Sequence, residues 1–224
     1  MFKMIFTLLL ILSSTQTYAV EVLVDRPEGE AKGLVIVAPA KKYLMKERLF
    51  SGLAEKLKSQ GFITVRFNWS EDTLQVPEQE LRKAARDIHE VTTNAQKTFG
   101  FGADQTVLIS KSFSTKALDP SIDLARTHIL LTPNCSTEAP FEKTYWNILN
   151  KEDIHLKMVI SEEDPYCKVD EIRRTLRDLQ REDLLATTSK GDHNFVVTEE
   201  AGPSYKFQDL VIEYVTNFVG QLTP

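Results

Sequence analysis

The chain has 224 residues, which is enough to bury the core of one α/β domain and too few for two ordinary domains. Its formal net charge is −5, with 27 basic against 32 acidic residues, and no segment clusters lysine and arginine. This composition excludes proteins that bind nucleic acid through a basic surface.

The first 19 residues have the composition of a secretory signal peptide. Lys3 supplies a positive charge, residues 4–12 are apolar, and the small residues Thr17 and Ala19 occupy the cleavage positions. The apolar part is shorter than a membrane span requires, and a retained N-terminal anchor is the alternative. We expect an exported protein, periplasmic or secreted, with no integral span after cleavage. Its single mature domain would cover residues 20–224, and loss of Lys3 changes the formal net charge from −5 to −6.

Short apolar runs then alternate with amphipathic stretches along the chain. Residues 33–37 are continuously apolar and β-branched, which is typical of a strand buried on both faces. Residues 44–60 have apolar side chains at helical spacing and end at Gly61, a favourable C-terminal stop. The alternation predicts an α/β fold whose central sheet is mostly parallel, with helices on both faces. Strands are predicted at residues 20–25, 33–37, 62–67, 107–109, 128–132, 155–160 and 184–188, and helices at 44–60, 78–98, 169–181 and 208–222.

Residues 106–118, TVLISKSFSTKAL, join the end of a buried strand to a segment that can start a helix. Three serines, Ser110, Ser112 and Ser114, alternate across this junction. A sharp strand-to-helix turn holds the side chain of its central residue above the sheet, and backbone N–H groups at the helix start then face any oxyanion. Ser112 is therefore a candidate nucleophile. The alternative is a helix N-cap, which is the commonest role of a serine after an apolar run.

Two later segments carry the residue types that activate a serine. The strand in MVISEEDPY is followed by Glu162, Glu163 and Asp164, and the turn in KGDHNF carries His193. A histidine oriented by a carboxylate takes the proton of a serine hydroxyl, and the chain order Ser, Asp, His occurs in one class of hydrolases. We favour Asp164 as the acid because the following proline fixes its geometry, with Glu162 or Glu163 as the alternative. The alternative for His193 is a purely structural turn residue.

With these motifs the chain resembles the small, lidless α/β-hydrolases of the dienelactone-hydrolase and carboxylesterase type, from about Gly33 to the C-terminus. The Asp164-Pro165 pair after a strand and the G-D-H-x-F motif around His193 are the closer matches. The S-x-S-x-S motif departs from the usual G-x-S-x-G. A second departure is the sequence APAK at residues 38–41, where family members often have His-Gly.

The resemblance implies an α/β-hydrolase fold and a Ser112-Asp164-His193 triad that cleaves a small acyl substrate, most simply a carboxylic ester. Such a triad needs no metal and no organic cofactor. The oxyanion would be bound by the Phe113 N–H and by the N–H of Ala40 or Lys41, because Pro39 has none. The rival hypothesis is a non-catalytic binding or scaffold protein of the same fold, which the missing glycines and the missing His-Gly favour.

Four aromatic residues are candidates for the walls of a substrate pocket: Tyr43, Trp69, Tyr145 and Trp146. Trp69 follows a predicted strand at the edge of the sheet where ligands bind in open α/β folds, and packing over a loop is the alternative for it. Tyr145 and Trp146 belong to residues 136–150, a segment that shows no strong helical period. This segment is either a small cap over the pocket or a surface excursion with its aromatic residues in the core.

Cys135 and Cys167 each follow a predicted core strand, and those two strands would be neighbours in a parallel sheet. In an oxidising compartment this placement suggests a Cys135–Cys167 disulfide that brackets the loop of Asp164. Two unrelated, half-buried thiols are the alternative. A zinc site that combines them with His193 is disfavoured, because neither cysteine has a closely spaced second ligand.

Overall fold

The computed structural model describes residues 20–42, 44–70, 73–74, 79–135 and 140–222, so the proposed signal peptide and Tyr43 lie outside the described residues. The strands are β1 (Val22–Asp25), β2 (Gly33–Ala38), β3 (Phe62–Phe67), β4 (Thr106–Lys111), β5 (Thr127–Leu131), β6 (His155–Ser161), β7 (Leu185–Thr188), β8 (Val197–Glu199) and β9 (Gly202–Ser204). The helices are α1 (Arg48–Ser59), α2 (Glu80–Phe99), α3 (Phe141–Leu149), α4 (Val169–Asp178) and α5 (Lys206–Leu222). Short 3-10 helices occupy Ala103–Gln105, Ser112–Ala117, Asp119–Leu124 and Glu182–Leu184.

Strands β1 to β7 form one sheet in the order β1-β3-β2-β4-β5-β6-β7. Strand β1 pairs antiparallel with β3 at the edge, and the other neighbours are parallel. The predicted α/β architecture with a mostly parallel sheet is confirmed. Since parallel strands end at the same edge, the loops that follow β2, β4, β5, β6 and β7 all meet there.

The sheet is covered on both faces, and alternate residues of β2 show the division. Leu34 and Ile36 pack in the cluster that contains the buried side chains of α2, α3 and α4. Val35 and Val37 pack in the second cluster, with the apolar side chains of α1 and α5. We call the second side the α1/α5 face. In the part of the chain that the structure describes, no helix is long and apolar enough to cross a membrane.

The segment that we interpreted as lacking a helical period contains helix α3. Phe141, Tyr145, Ile148 and Leu149 are its buried residues, and their spacing of four, three and one places them on one helical face. The helix was missed because Trp146 and Tyr145 were assigned to a pocket rather than to a periodic pattern. The expectation that residues 136–150 have no strong helical period is therefore wrong for Phe141–Leu149, whereas the alternative that the aromatic residues of this segment lie in the core is confirmed for Phe141 and Tyr145.

The segment after Ser112 is helical as predicted, and it consists of a pair of short 3-10 helices. Asp119-Pro120 follows within eight residues of Ser112, and proline stops the first helix from extending. The Thr115 hydroxyl, which donates to the Ser112 carbonyl at 2.5 Å, takes up a backbone acceptor inside this short turn.

The buried His128 in β5 makes the free energy of unfolding depend on pH. Its Nε2 donates to the carbonyls of Ile122 and Ala125 at 2.9 and 3.0 Å, and burial lowers its pKa from the ordinary 6.5. Below pH 6.5 the unfolded chain therefore binds a proton that the folded protein does not. We expect the free energy of unfolding to decrease as the pH is lowered below 6.5, and His128 contributes at most about 1.4 kcal/mol per pH unit to this decrease.

Urea unfolding between pH 5 and 7.5 measures this slope. His128→Gln, which keeps a side-chain N–H donor, should have a smaller slope than the native protein. His155→Gln, which changes an exposed histidine at the start of β6, should keep the native slope. Identical slopes in the native protein and in His128→Gln would contradict the assignment.

Candidate active site

The turn between β4 and its 3-10 helix is built around Ser112. The φ angle of Ser112 is +54°, in the left-handed region where a non-glycine residue is strained by about 1–3 kcal/mol. Ser114 supports the turn, because its hydroxyl accepts the Lys111 N–H at 2.8 Å and donates to the Ala38 carbonyl at 3.1 Å. The Ser110 hydroxyl is buried and has no partner among the described residues. The sharp turn therefore forms with serine where the usual motif has glycine.

Ser112, His193 and Asp164 form one hydrogen-bonded chain. His193 Nε2 lies 2.6 Å from Ser112 Oγ, and His193 Nδ1 lies 2.7 Å from Asp164 Oδ2. An ionised carboxylate is only an acceptor, so Nδ1 carries the proton and the Nε2 lone pair accepts the serine hydroxyl. The Asp164 side chain is fully buried and that of His193 is 12% exposed. The three side chains can therefore move a proton from the serine to the histidine.

Asp164 is the carboxylate that reaches the histidine, and its two neighbours have other contacts. Glu162 forms an ion pair with Arg173 at the surface. Glu163 accepts the Gly191 N–H at 3.2 Å. Glu162 thus contacts helix α4 and Glu163 contacts the turn of His193, whereas Asp164 bonds the histidine ring.

Asp164 is itself fixed by the backbone that follows it. Its Oδ1 accepts the N–H groups of Tyr166 and Cys167 at 2.8 and 3.2 Å. These two bonds leave Oδ2 for His193. The loop after β6 therefore fixes the orientation of the carboxylate beside the imidazole.

A tight turn after β7 carries His193. Asp192 Oδ1 accepts the N–H groups of Asn194 and Val196 at 2.7 and 3.0 Å, which closes the turn around the histidine. Gly191 begins the turn with a φ of +111°, and a Cβ at this position would lie 3.0 Å from the backbone of Phe195. Glycine is therefore required there.

Two contacts anchor this turn to the α1/α5 face. Phe195 has a φ of +59° and is completely buried, and it packs in the cluster that contains Val211 and Val215 of α5. Gln208, also in α5, donates through Nε2 to the Asn194 carbonyl at 2.8 Å. The position of the histidine thus depends on the packing of α5.

The N–H groups that would bind an oxyanion lie in two places. The Phe113 N–H is in the first turn of the 3-10 helix, where a backbone N–H has no partner within the helix. In the loop after β2, the Ala40 carbonyl accepts the indole N–H of Trp69 at 3.1 Å. Because a trans peptide has its C=O and N–H on opposite sides, this bond also fixes the direction of the Lys41 N–H. The Trp69 ring packs edge to face against the Phe113 ring, with 5.6 Å between the ring centroids. Trp69 thus connects the loop after β2 to the first turn of the 3-10 helix.

Several solved structures share the overall fold of this chain. A lidless α/β serine hydrolase from Xanthomonas campestris is 16% identical, with 92% of this chain and 90% of that chain covered and a TM-score of 0.69. Est1E from Butyrivibrio proteoclasticus is 14% identical, with coverages of 93% and 96% and a TM-score of 0.68. Esterase 2 from Thermogutta terrifontis is 12% identical, with coverages of 96% and 94% and a TM-score of 0.64. The chain has the α/β-hydrolase fold. No family model and no curated protein matches the sequence.

Within the α/β-hydrolase fold, two of the aromatic residues proposed as pocket walls, Tyr145 and Trp146, lie on helix α3. Tyr145 is buried, and its hydroxyl lies 2.6 Å from Thr115 Oγ1 and accepts the Asn134 N–H at 2.9 Å. Burial raises the pKa of the Tyr145 phenol above its ordinary value. Trp146 is half exposed and lines a surface depression with Asp119 and Asp123, which lie in the 3-10 helix before β5. Helix α3 thus turns Tyr145 into the core and Trp146 to this depression, and their assignment as pocket walls stays a prediction.

The remaining two candidates have different outcomes. Trp69 is partly buried and packs over the loop after β2, the alternative role that the sequence offered for it. Tyr43 lies outside the described residues. Tyr166, which was not considered, is 61% exposed, and its ring edge lies against the His193 ring with 4.7 Å between the centroids. Its position directly after Asp164-Pro165 is the signal that would have identified it.

The structure joins Cys135 and Cys167 by a disulfide, with their Cα atoms 4.9 Å apart. The bond connects the loop after β5 to the loop after β6, as suggested from the order of the strands. Cys167 also donates its N–H to Asp164, so the disulfide lies next to the acid of the hydrogen-bonded chain. Among the described residues, no group of three or more His, Cys, Asp or Glu side chains is arranged to hold a metal ion.

Proposed function

We propose that this protein is a serine hydrolase that cleaves a small acyl substrate, most simply a carboxylic ester. The single observation that carries the proposal is the hydrogen-bonded chain from Ser112 Oγ through the His193 ring to Asp164, with bonds of 2.6 and 2.7 Å. The strained conformation of Ser112 supports it, since strain of this kind concentrates at functional sites.

In the proposed reaction, His193 Nε2 takes the Ser112 proton while the serine oxygen attacks the carbonyl carbon. The N–H of Phe113 and the N–H of Ala40 or Lys41 stabilise the oxyanion, and each such donor contributes about 3 kcal/mol to the transition state. The imidazolium then protonates the leaving alcohol, and an acyl-serine forms. Water, deprotonated by His193, attacks the acyl-serine, which releases the carboxylic acid and returns the proton to Ser112.

The structural relatives support an ester as the substrate class. Est1E has been solved with ferulic acid bound, and esterase 2 from Thermogutta terrifontis has been solved with propionate and after phosphorylation by paraoxon. We propose by analogy that a carboxylic ester is cleaved here, because the same arrangement of groups serves acyl transfer in general. Amide and thioester substrates use the same triad, and a substrate series with one acyl group tests them.

Export is a further part of the proposal. The Cys135–Cys167 disulfide supports it, because disulfides persist in oxidising compartments such as the periplasm or the exterior of the cell. The composition of residues 1–19 supports it as well. Mass spectrometry of the protein recovered from the periplasm and the medium of a bacterial culture tests cleavage after Ala19.

An alkyl fluorophosphonate probe tests the nucleophile directly. We expect the native protein to bind one equivalent at Ser112, identified by peptide mass spectrometry, and Ser112→Ala to bind none. Ser110→Ala, the same substitution two residues earlier in the turn, should still be labelled. A folded native protein that resists labelling and does not hydrolyse p-nitrophenyl acetate would contradict the proposal and favour a non-catalytic binding or scaffold protein.

A further inference from the structure

Lys111, the last residue of β4, directly precedes Ser112 and is completely buried. Because side chains alternate along a strand, it lies on the α1/α5 face with Val107 and Ile109. Its Nζ donates to the His193 carbonyl at 2.8 Å and to the Thr132 hydroxyl at 3.1 Å. One side chain thus connects the turn of Ser112, the end of β5 and the turn of His193.

Two unfavourable features meet at this ammonium group. Burial lowers the pKa of Lys111 from 10.5 to about 7, although the carboxylates of Asp164 and Asp192 act in the opposite direction. Thr132 has a φ of +45°, which is an outlier for a β-branched residue, and it is completely buried. An apolar residue of similar size would fill this space without loss of stability, so packing alone does not explain a lysine here. Strained and buried charged groups of this kind concentrate at functional sites.

We propose that Lys111 is a positioning residue that holds the main chain of His193 at a fixed distance from Ser112. The two reacting residues are 81 positions apart in the chain and lie on separate loops. Lys111 is joined covalently to one of them and by a hydrogen bond to the other, while Thr132 fixes the direction of the Nζ. The inference rests on the proposed function, because this distance affects a rate only when Ser112 and His193 react together.

Replacing Lys111 by methionine removes the donor and keeps a long, unbranched side chain. We expect Lys111→Met to lower the kcat for p-nitrophenyl acetate by about 10- to 100-fold, since a displacement near 1 Å in a reacting pair has an effect of that size. The KM should stay within about twofold, because the Lys111 side chain is completely buried. Stability should be unchanged or higher, because a buried charge is replaced by an apolar group. A structural lysine predicts the opposite pair of results, a less stable protein with native kcat.

Two sets of variants control this experiment. Lys157→Met removes a lysine of β6 whose Nζ also bonds a backbone carbonyl, that of Asp183, and it should leave kcat unchanged. Thr132→Ala and Thr132→Ser both lose the methyl group, but only the alanine variant loses the hydroxyl that receives the Lys111 bond. We expect the serine variant to keep the native kcat and the alanine variant to lose about 3- to 10-fold. This pair tests the proposal even when Lys111→Met does not fold.

A second measurement does not depend on catalysis. In protein with ¹⁵N-labelled histidine, NMR follows exchange of the His193 Nδ1 proton with water. This proton should exchange several-fold faster in Lys111→Met than in the native protein. If Lys111→Met is unfolded, the proton should exchange several-fold faster in Thr132→Ala than in Thr132→Ser. A native protein that neither hydrolyses p-nitrophenyl acetate nor reacts with the fluorophosphonate would contradict the proposed function. Faster exchange in the variants would then still support the positioning role of Lys111. Unchanged exchange, or native kcat in the folded variants of an active protein, would overturn the role of Lys111.

Discussion

Asp164→Asn should lower kcat/KM for p-nitrophenyl acetate by about 10⁴-fold at pH 7 while the protein remains folded. The N–H groups of Tyr166 and Cys167 both require an oxygen acceptor at this side chain. The asparagine oxygen would satisfy them, so its NH₂ group would face His193 Nδ1. The imidazole would then carry its proton on Nε2 and could not accept the Ser112 hydroxyl. The loss follows from the wrong tautomer rather than from a missing contact.

Steady-state hydrolysis, the rate of fluorophosphonate labelling and circular dichroism measure this result together. Glu162→Gln is the matched control, because it removes a neighbouring carboxylate that pairs with Arg173 at the surface, and its kcat/KM should stay within about twofold. Glu163→Gln is intermediate, since it weakens a contact to Gly191 in the turn of His193. An Asp164→Asn protein with more than a tenth of the native activity would exclude the assigned role of Asp164.

Removing the Cys135–Cys167 disulfide is the change with the largest expected effect on stability. The bond closes a loop with a sequence separation of 32 residues, and a loop of this length corresponds to about 3–4 kcal/mol of unfolding free energy through the entropy of the unfolded chain. We expect urea unfolding of the Cys135→Ser/Cys167→Ser protein to show that loss. We also expect its kcat to fall several-fold, because the disulfide fixes the loop that supplies the Cys167 N–H to Asp164.

Native protein treated with dithiothreitol should match the double variant in both stability and kcat. Treatment of the double variant itself should change nothing, which separates the loss of the bond from other effects of the reductant. A stability difference below about 1 kcal/mol between the oxidised native protein and the double variant would contradict this expectation and would show that the bond restricts the unfolded chain less than its loop length implies.

The strands were predictable because each is a short apolar run bounded by polar turns. All six residues of β2 and of β4 are buried, which is the pattern that a parallel sheet covered on both faces produces. Helix α3 was not recognised because its apolar positions include two aromatic residues that also suit a pocket. The helix after Ser112 was predicted without its type, and the structure shows it to be a short 3-10 helix.

The residues of the hydrogen-bonded chain were predictable because each belongs to a local motif. Ser112 follows an apolar strand, Asp164 precedes a proline, and His193 lies in a Gly-Asp-His turn. The sequence left three adjacent carboxylates open, and contacts from distant parts of the chain decided between them. Glu162 is drawn to Arg173 and Glu163 to Gly191, neither of which a local pattern reveals.

The supporting residues were less accessible to sequence reasoning. Lys111 gave a signal that was not used, namely a charged residue at the end of an otherwise apolar strand. Its partners, Thr132 and the His193 carbonyl, lie 21 and 82 residues away, so its role depends on the strand order rather than on a motif. The left-handed conformation of Thr132 is likewise set by tertiary contacts and is not expected from a threonine.

The anchoring of the His193 turn by α5 has a consequence for the order in which the site is assembled during synthesis. Phe195 and Asn194 are held by residues of α5, the C-terminal element of the fold, whereas Ser112 lies near the middle of the chain. The turn of Ser112 can therefore fold against β2, β3 and β4 well before His193 has a stable position. A nascent chain stalled before α5 should contain an ordered serine turn and remain unable to react with the fluorophosphonate.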